Sequence, residues 1–306
     1  MHKKGYKLCS MKEAIFETVH PGSQLVIDGF THLISFSAAH EIIRQEIKNL
    51  TGIRLTPDLV YDQMLEAGNI SNLVFSWAGN PGVGSLHAFR RLVETNSKSK
   101  IKIEEWTHFA MVARFLAGGA NLPFWPLKSF QGTNLPDVNS TIKFIECPYT
   151  GQKLATVPAL NPDVAIIHCQ RADTEGNAQV WGLLGTQKEV AFASKRVVIV
   201  AEEIVPTSLI RQDPNRTLIP SLVVDFVVHE PWGAHPSFAQ GYYDRDNDFY
   251  VQWDQISRKQ ETYQEYLQEM VFGVKNRQEY LKKLDSTTLS RLQAKAQICE
   301  GVNYGY

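Results

Sequence analysis

Several common kinds of site are missing from this chain. Its four cysteines (Cys9, Cys147, Cys169 and Cys299) lie far apart in 306 residues, with no CxxC pair. A dithiol redox site and a thiolate zinc site are therefore not expected, and reduced thiols in a cytoplasmic protein are the simplest account. Nine histidines include no HxH or HExxH pair, so the sequence holds no metal-site signature. Charge of one sign is also missing: 31 Lys and Arg against 32 Asp and Glu leave a net charge of −1, spread along the chain, which argues against nucleic acid as partner. No apolar run approaches the roughly 20 residues of a membrane span. The basic start, Met1 to Lys7, is followed by no apolar core, so a secretory signal is not expected.

What is present centres on Ser76-Trp77-Ala78-Gly79-Asn80-Pro81-Gly82-Val83-Gly84-Ser85-Leu86-His87. An apolar strand-like run, Leu73 to Phe75, precedes it, and Leu86, Phe89, Leu92 and Val93 recur at helical spacing after it. Glycines between a strand and a helix let backbone approach a ligand, and a helix start capped by Ser85 would direct free N–H groups at it. No Lys follows the glycines, which excludes a P-loop. His87 stands where a dinucleotide fingerprint needs its last Gly. A plain turn is the competing reading. The next apolar segment, Ile101 to Ile103, ends in two adjacent carboxylates, Glu104 and Glu105.

Along the chain, Ser10-Met11-Lys12-Glu13 has the form of a capping box. Strands are expected at 24–27, 73–75, 101–103, 164–168, 197–201 and 226–228, with helices at 10–19, 37–48, 61–67, from 86, and at 110–120. This alternation indicates an α/β fold: an open, mostly parallel, doubly wound sheet with helices on both faces. Prolines 123, 126, 136 and 148 mark an irregular connection over about 122–150, and a charged helical tail is expected over about 263–299. One domain over 1–306 is the simplest organisation.

Taken together, Asp28-Gly29-Phe30-Thr31, Glu41-Ile42-Ile43-Arg44-Gln45, Gly79 to Ser85, Leu122-Pro123-Phe124, Pro148-Tyr149-Thr150-Gly151, Gln170-Arg171-Ala172-Asp173, Gly233-Ala234-His235-Pro236-Ser237 and Tyr243-Asp244-Arg245-Asp246-Asn247 occur in an order and spacing that carry a family resemblance. The chain resembles the A subunit of family I coenzyme A transferases, the glutaconate CoA-transferase branch in particular. The resemblance implies the CoA-transferase fold and an obligate partner, the B subunit, usually in a heterotetramer of two A and two B chains. It implies no resident cofactor, with a coenzyme A thioester as substrate. The nucleophilic glutamate of such enzymes lies in the B subunit, so this chain would supply walls and donors: Gly29, Phe30 and Thr31, with Ser76, Asn80, Gly82, Gly84 and Ser85, lining the acyl-CoA and acceptor site. Relatives commonly carry Gly-Gly-Phe where this chain has Asp28-Gly29-Phe30, and an Arg at the position of Ala88. An added carboxylate at Asp28 would bear on an anionic acceptor.

Glu105 is the one candidate catalytic residue. By alignment from Leu122-Pro123-Phe124 it falls on a glutamate that a related ring-cleaving acyl-CoA hydrolase uses, and a buried carboxylate beside a second one could act as a general base. The competing arrangement has Glu104 in solvent and Glu105 paired with Arg90 or Arg114. A hydrolase or decarboxylase built on the same heterodimer, and a non-catalytic scaffold, are the rival functions. Glu202, Glu203, His168, His235 and the Arg211–Arg216 loop read as structural.

Overall fold

The computed structural model describes residues 7–81, 84–94 and 101–294. In chain order the first half comprises β1 (Leu8–Cys9), α1 (Met11–Thr18), β2 (Gln24–Ile27), α2 (Phe36–Arg44), β3 (Leu50–Ile53), α3 (Leu59–Glu66), β4 (Ile70–Phe75), α4 (His87–Glu94), β5 (Lys102–Glu105) and α5 (His108–Gly119). The middle holds β6 (Phe124–Leu127), α6 (Leu135–Val138), β7 (Lys143–Glu146), β8 (Lys153–Pro158), β9 (Val164–Ala172), β10 (Ala178–Gln179) and α7 (Gln187–Ala193). Then follow β11 (Arg196–Ile204), α8 (Thr207–Gln212), β12 (Thr217–Ile219), β13 (Phe226–His229), α9 (Asn247–Arg258), α10 (Gln260–Leu267), α11 (Arg277–Lys283) and α12 (Ser286–Leu292).

The main sheet runs β1-β13-β11-β9-β2-β3-β4-β5, with every neighbouring pair parallel. β10 adds antiparallel to β9, and β12 to β10. Growth to one side of β2 proceeds through β3, β4 and β5, and to the other side of β9 through β11, β13 and β1. Strand order thus reverses between β2 and β9, where an open α/β sheet leaves a crevice at the strands' carboxyl ends. The central strands are apolar on both faces because both are covered: Val164–Ile167 and Val197–Ala201 are wholly buried. Helices α1, α2, α3, α9 and α10 fill one core, and α5 and α7 the other.

Local chemistry explains the element boundaries. Ser10 and Glu13 exchange backbone and side-chain bonds at 3.2 and 3.0 Å, so the capping box opens α1 as its spacing predicts. β3 departs from expectation, since Thr51-Gly52 interrupts its apolar pattern. Gly52 is needed there because a Cβ would stand 2.8 Å from the Tyr61 ring. The proline-rich stretch is more regular than expected. Its β6 and β7 flank β8 in a separate three-stranded antiparallel sheet, with Phe124 and Phe144 on exposed surface. Helices of the tail begin at Asn247 rather than 263, and residues 295–299 lie outside the described residues. Among the described residues no helix is long and apolar enough to cross a membrane.

The tail is part of the core and not an appendage. Trp253 on α9 is completely buried between Phe249, Tyr263 and Tyr266, and its indole N–H donates to Asp62 on α3 at 3.3 Å. Replacing Trp253 with Ala should cost about 3–5 kcal/mol, the usual loss for a buried large aromatic. Urea unfolding measures it, and a loss under about 1 kcal/mol would show that α9 packs only loosely.

Candidate functional site

Three loops at the carboxyl end of the sheet, with the start of α5, enclose a cleft of about 280 Å³ lined by Phe30, Thr31, Thr56, Asp58, Trp77, Pro81 and His108. Each comes from the end of a successive strand: Phe30 and Thr31 after β2, Thr56 and Asp58 after β3, Trp77 and Pro81 after β4, His108 after β5. The walls are chiefly apolar, and the volume sits at the small end of ligand sites.

Arg54 holds the first two loops in shape. Its fully buried guanidinium donates to the carbonyls of Ile27 and Gly29, both at 2.7 Å, and of Thr56 at 3.0 Å. Asp58 lies 3.7 Å from the same group and accepts the Val60 N–H as N-cap of α3. The β2 loop that results is sharply turned, with Gly29, Thr31 and Leu33 all at positive φ. A Cβ on Gly29 would meet the carbonyls of His32 and Leu33 at 2.7 Å, so only glycine fits. Below it, His32 donates from Nδ1 to the Leu183 carbonyl and accepts the Gln240 N–H at Nε2, each at 3.0 Å. That pairing requires the neutral ring, and burial pushes its pKa down to about 4. The N–H groups of Phe30 and Thr31 take no partner among the described residues, which leaves two backbone donors beside the cleft.

Asp28 does not line this cleft. It is buried, accepts from the Thr186 hydroxyl at 3.1 Å, and burial raises its pKa against the opposing pull of Arg54.

The predicted residues divide between two hollows that share Trp77. Phe30 and Thr31 line the cleft, and Gly29 shapes their loop. Asn80, Gly84 and Ser85 line a neighbouring groove of about 280 Å³ beside Leu86 and Phe89. The expectation that Ser85 caps α4 and frees its N–H groups is not met. The Ser85 N–H donates to Asp254 on α9 at 3.2 Å, and the Phe89 N–H donates to Asp62 at 3.0 Å. Gly84 is obligatory for this approach, because a Cβ there would stand 2.3 Å from the Asp254 carboxylate. The Asn80 amide donates to the Tyr250 carbonyl at 3.0 Å. These residues fasten the glycine loop to α9, and Gly82 lies outside the described residues.

Glu104 and Glu105 exchange the roles expected of them. Strand alternation turns Glu104 inward, where it binds Arg114 at 2.8 Å and the Trp106 indole at 2.7 Å. Glu105 is exposed, and its carbonyl accepts from the Asn139 amide at 3.1 Å. The burial that a general base at Glu105 requires is not provided by this chain. A cavity of about 500 Å³ does lie beside Glu104 and Arg114, but under the opposite, amino-terminal part of the sheet face, with Gln24, Thr51, Asn72 and Lys102.

Ser76 stands behind the cleft. Its hydroxyl donates to the Leu55 carbonyl at 2.6 Å and lies 2.9 Å from His108 Nδ1. Glu202 accepts from His168 at 2.6 Å, from the Trp232 N–H at 2.6 Å and from the Tyr243 hydroxyl, a buried polar cluster that fixes the loop after β13. His235 is likewise tied to Tyr280 and Asp246. Among the described residues no three His, Cys, Asp or Glu side chains gather as a metal ion would need. Arg54, Asp58, His108 and Asp254 carry no role that the sequence reading assigned. A signal exists for two of them: Arg54 is a lone cation in an apolar run, and His108 follows Thr107, an N-cap residue whose hydroxyl accepts from Ala110.

A mostly parallel sheet with a small cleft at the carboxyl ends of its strands is the frame of a ligand-binding α/β protein. Residues 8–230 match the family model described as coenzyme A transferase, and the chain belongs to that family. It is 45% identical to the A subunit of 3-oxoadipate CoA-transferase from Pseudomonas knackmussii, over 91% of this chain and 98% of that one. The A subunit of glutaconate CoA-transferase from Acidaminococcus fermentans is 33% identical over 94% of both chains. The crystal structure of that enzyme superposes with a TM-score of 0.90 at 32% identity, covering 95% of this chain and 96% of that one. The decarboxylase AibA/AibB follows at a TM-score of 0.73 and 25% identity, covering 87% of this chain and 100% of that one.

Replacing Arg54 with Met should lower stability by about 3–5 kcal/mol, since three carbonyls and Asp58 lose their buried partner. Denaturant unfolding tests this, with a near-neutral result excluding Arg54 as the clamp of the two loops. For His32 the folded pKa of about 4 lies below the unfolded value near 6.5, so its contribution is complete above pH 6.5 and is lost as pH falls toward 4. Stability should decline across that window, less steeply in His32→Gln than in the parent. Equal slopes would show that another histidine carries the effect.

Proposed function

We propose that this chain is the A subunit of a heteromeric enzyme that moves CoA from an acyl-CoA to a short dicarboxylic acid, with the nucleophilic glutamate supplied by the B subunit. The observation that carries the reading is the cleft built from the ends of β2 to β5. It is small and apolar, has the exposed Trp77 in its wall, and is bordered by Phe30 and Thr31, whose backbone N–H groups take no partner among the described residues. Its closeness in sequence to A subunits named for 3-oxoadipate and glutaconate supports a dicarboxylic acid as acceptor.

In this reading the partner carboxylate attacks the thioester carbonyl and expels CoA thiolate, leaving an acyl–glutamyl anhydride. The thiolate then attacks the glutamyl carbonyl and releases the first acid. The acceptor carboxylate repeats the two steps in reverse, and no net proton or electron is needed. Splitting one exchange into anhydride and thioester steps is covalent catalysis. The chain's part is to donate from the Phe30 and Thr31 N–H groups to the oxyanion, and to keep water from the anhydride. Gly29 gives that loop its turn, Ser76 supports the wall, and Asn80, Gly84 and Ser85 hold the glycine loop against α9. The whole chain, 1–306, would serve as one unit facing the partner.

The test is peptide mass mapping of the native complex after incubation with acyl-CoA. A CoA adduct on a glutamate of the partner is expected, with turnover retained within about threefold in Glu105→Gln. Release of free CoA without an adduct, and loss of turnover in Glu105→Gln, would replace the transferase with a hydrolase.

A further inference from the structure

The cavity of about 500 Å³ beside Glu104 and Arg114 has no part in the transfer chemistry, and its floor breaks the pattern of the sheet. Strand register sets Gln24 beside Thr51, Thr51 beside Asn72, and Asn72 beside Lys102. Four neighbouring parallel strands thus present one polar row on one face. Two residues further along each strand the same face carries Val26, Ile53 and Val74, all in the core. A parallel sheet covered on both faces is ordinarily apolar on both. Here the polar row opens on the cavity, which all four of its residues line.

The facing wall is fastened to α5. The Leu160 N–H donates to the Arg114 carbonyl at 3.0 Å, and a Cβ on Gly118 would stand 2.2 Å from the Leu160 carbonyl, so glycine lets the segment after β8 lie against the helix. Arg114 is only 6% exposed. Its Nε donates to the Pro158 carbonyl at 3.2 Å and its Nη1 to Glu104 at 2.8 Å, while Nη2 takes no partner among the described residues. Glu104 offsets the charge of Arg114. Lys102, exposed at the end of the row, forms no ion pair among the described residues, so the cavity keeps one uncompensated positive charge. The row itself suits hydroxyl groups. Asn72 Nδ2 donates to Thr51 Oγ1 at 3.1 Å, which leaves the Thr51 hydroxyl proton and the Asn72 side-chain oxygen for a ligand. The volume falls within the range of small-molecule sites, about 300–1,000 Å³.

We propose that this cavity, at the opposite ends of the strands from the cleft, binds a polyhydroxylated monocarboxylic acid: Lys102 and Arg114 Nη2 hold the carboxylate, and Thr51 and Asn72 the hydroxyls. One net positive charge matches one carboxylate. The test is calorimetric binding of gluconate, hexanoate and sorbitol to the complex of this chain with its B subunit. Hexanoate has the acid without the hydroxyls, and sorbitol the hydroxyls without the acid. Gluconate should bind at least about tenfold more tightly than either, the size of one charge-assisted contact. Lys102→Met should collapse the preference over sorbitol. Asn72→Leu should collapse the preference over hexanoate, with Thr51→Val serving the same end where Asn72→Leu impairs folding. Saturating CoA should leave the gluconate affinity within about twofold, since the cleft is elsewhere. Equal binding of the three probes, preferences unchanged in these variants, or competition between gluconate and CoA overturns the proposal.

Discussion

The buried guanidinium of Arg54 is the constraint on which the carboxyl end of this sheet depends. Two loops leave neighbouring strands there with carbonyls that point inward and find no partner in the sheet ladder. Each unpaired buried carbonyl would cost about 1–3 kcal/mol. A planar cation with donors in a fixed fork satisfies three of them at once, at Ile27, Gly29 and Thr56. The same charge opposes the rise that burial imposes on the pKa of both Asp28 and Asp58. Its own desolvation is offset by these contacts and by the Tyr61 ring, whose centroid lies 5.9 Å away. Remove the cation, and two loops and two carboxyls lose their common partner.

With that clamp in place, backbone geometry follows. The β2 loop can hold three residues at positive φ because its carbonyls are held and its next residues are pinned by His32. In that conformation the Phe30 and Thr31 N–H groups take no partner among the described residues. On the far side the glycine loop is secured by a different device. Asp254 receives Ser85 and His87, and Arg258 and His87 hold its pKa down to about 2, Arg258 being the larger influence. The cleft thus lies between one loop fixed by a buried cation and another fixed by a carboxylate from the tail.

Much of the frame could be read in the residues. Continuous apolar runs at 164–168 and 197–201 announced strands covered on both faces, and Ser10 with Glu13 announced α1. The resemblance to CoA-transferase A subunits held over nearly the whole chain. β3 escaped because Gly52 and Thr51 break its pattern for the sake of the Tyr61 ring, a tertiary demand with no local signature. The glycine loop misled for a related reason. Glycines that let backbone approach a phosphate or a thioester also let it approach an aspartate, and the sequence does not say which. Here Gly84 serves Asp254, far away in the chain. Glu104 and Glu105 were separable by strand alternation alone, but only once the face turned toward Arg114 was known.

The same argument explains why His108 was not visible. A lone histidine at a helix start is ordinarily a solvent-exposed residue, and Thr107 beside it signals only that a helix begins there. What distinguishes it is Ser76, 32 residues earlier, whose hydroxyl is itself committed to Leu55. One short hydrogen bond between a serine and a carbonyl removes the freedom of the next group in line: with its proton given to Leu55, the Ser76 hydroxyl can only accept, and the neutral His108 ring carries its proton on Nδ1. A ring held in one tautomer and orientation keeps the contact it makes without an ordering cost at the moment a ligand arrives.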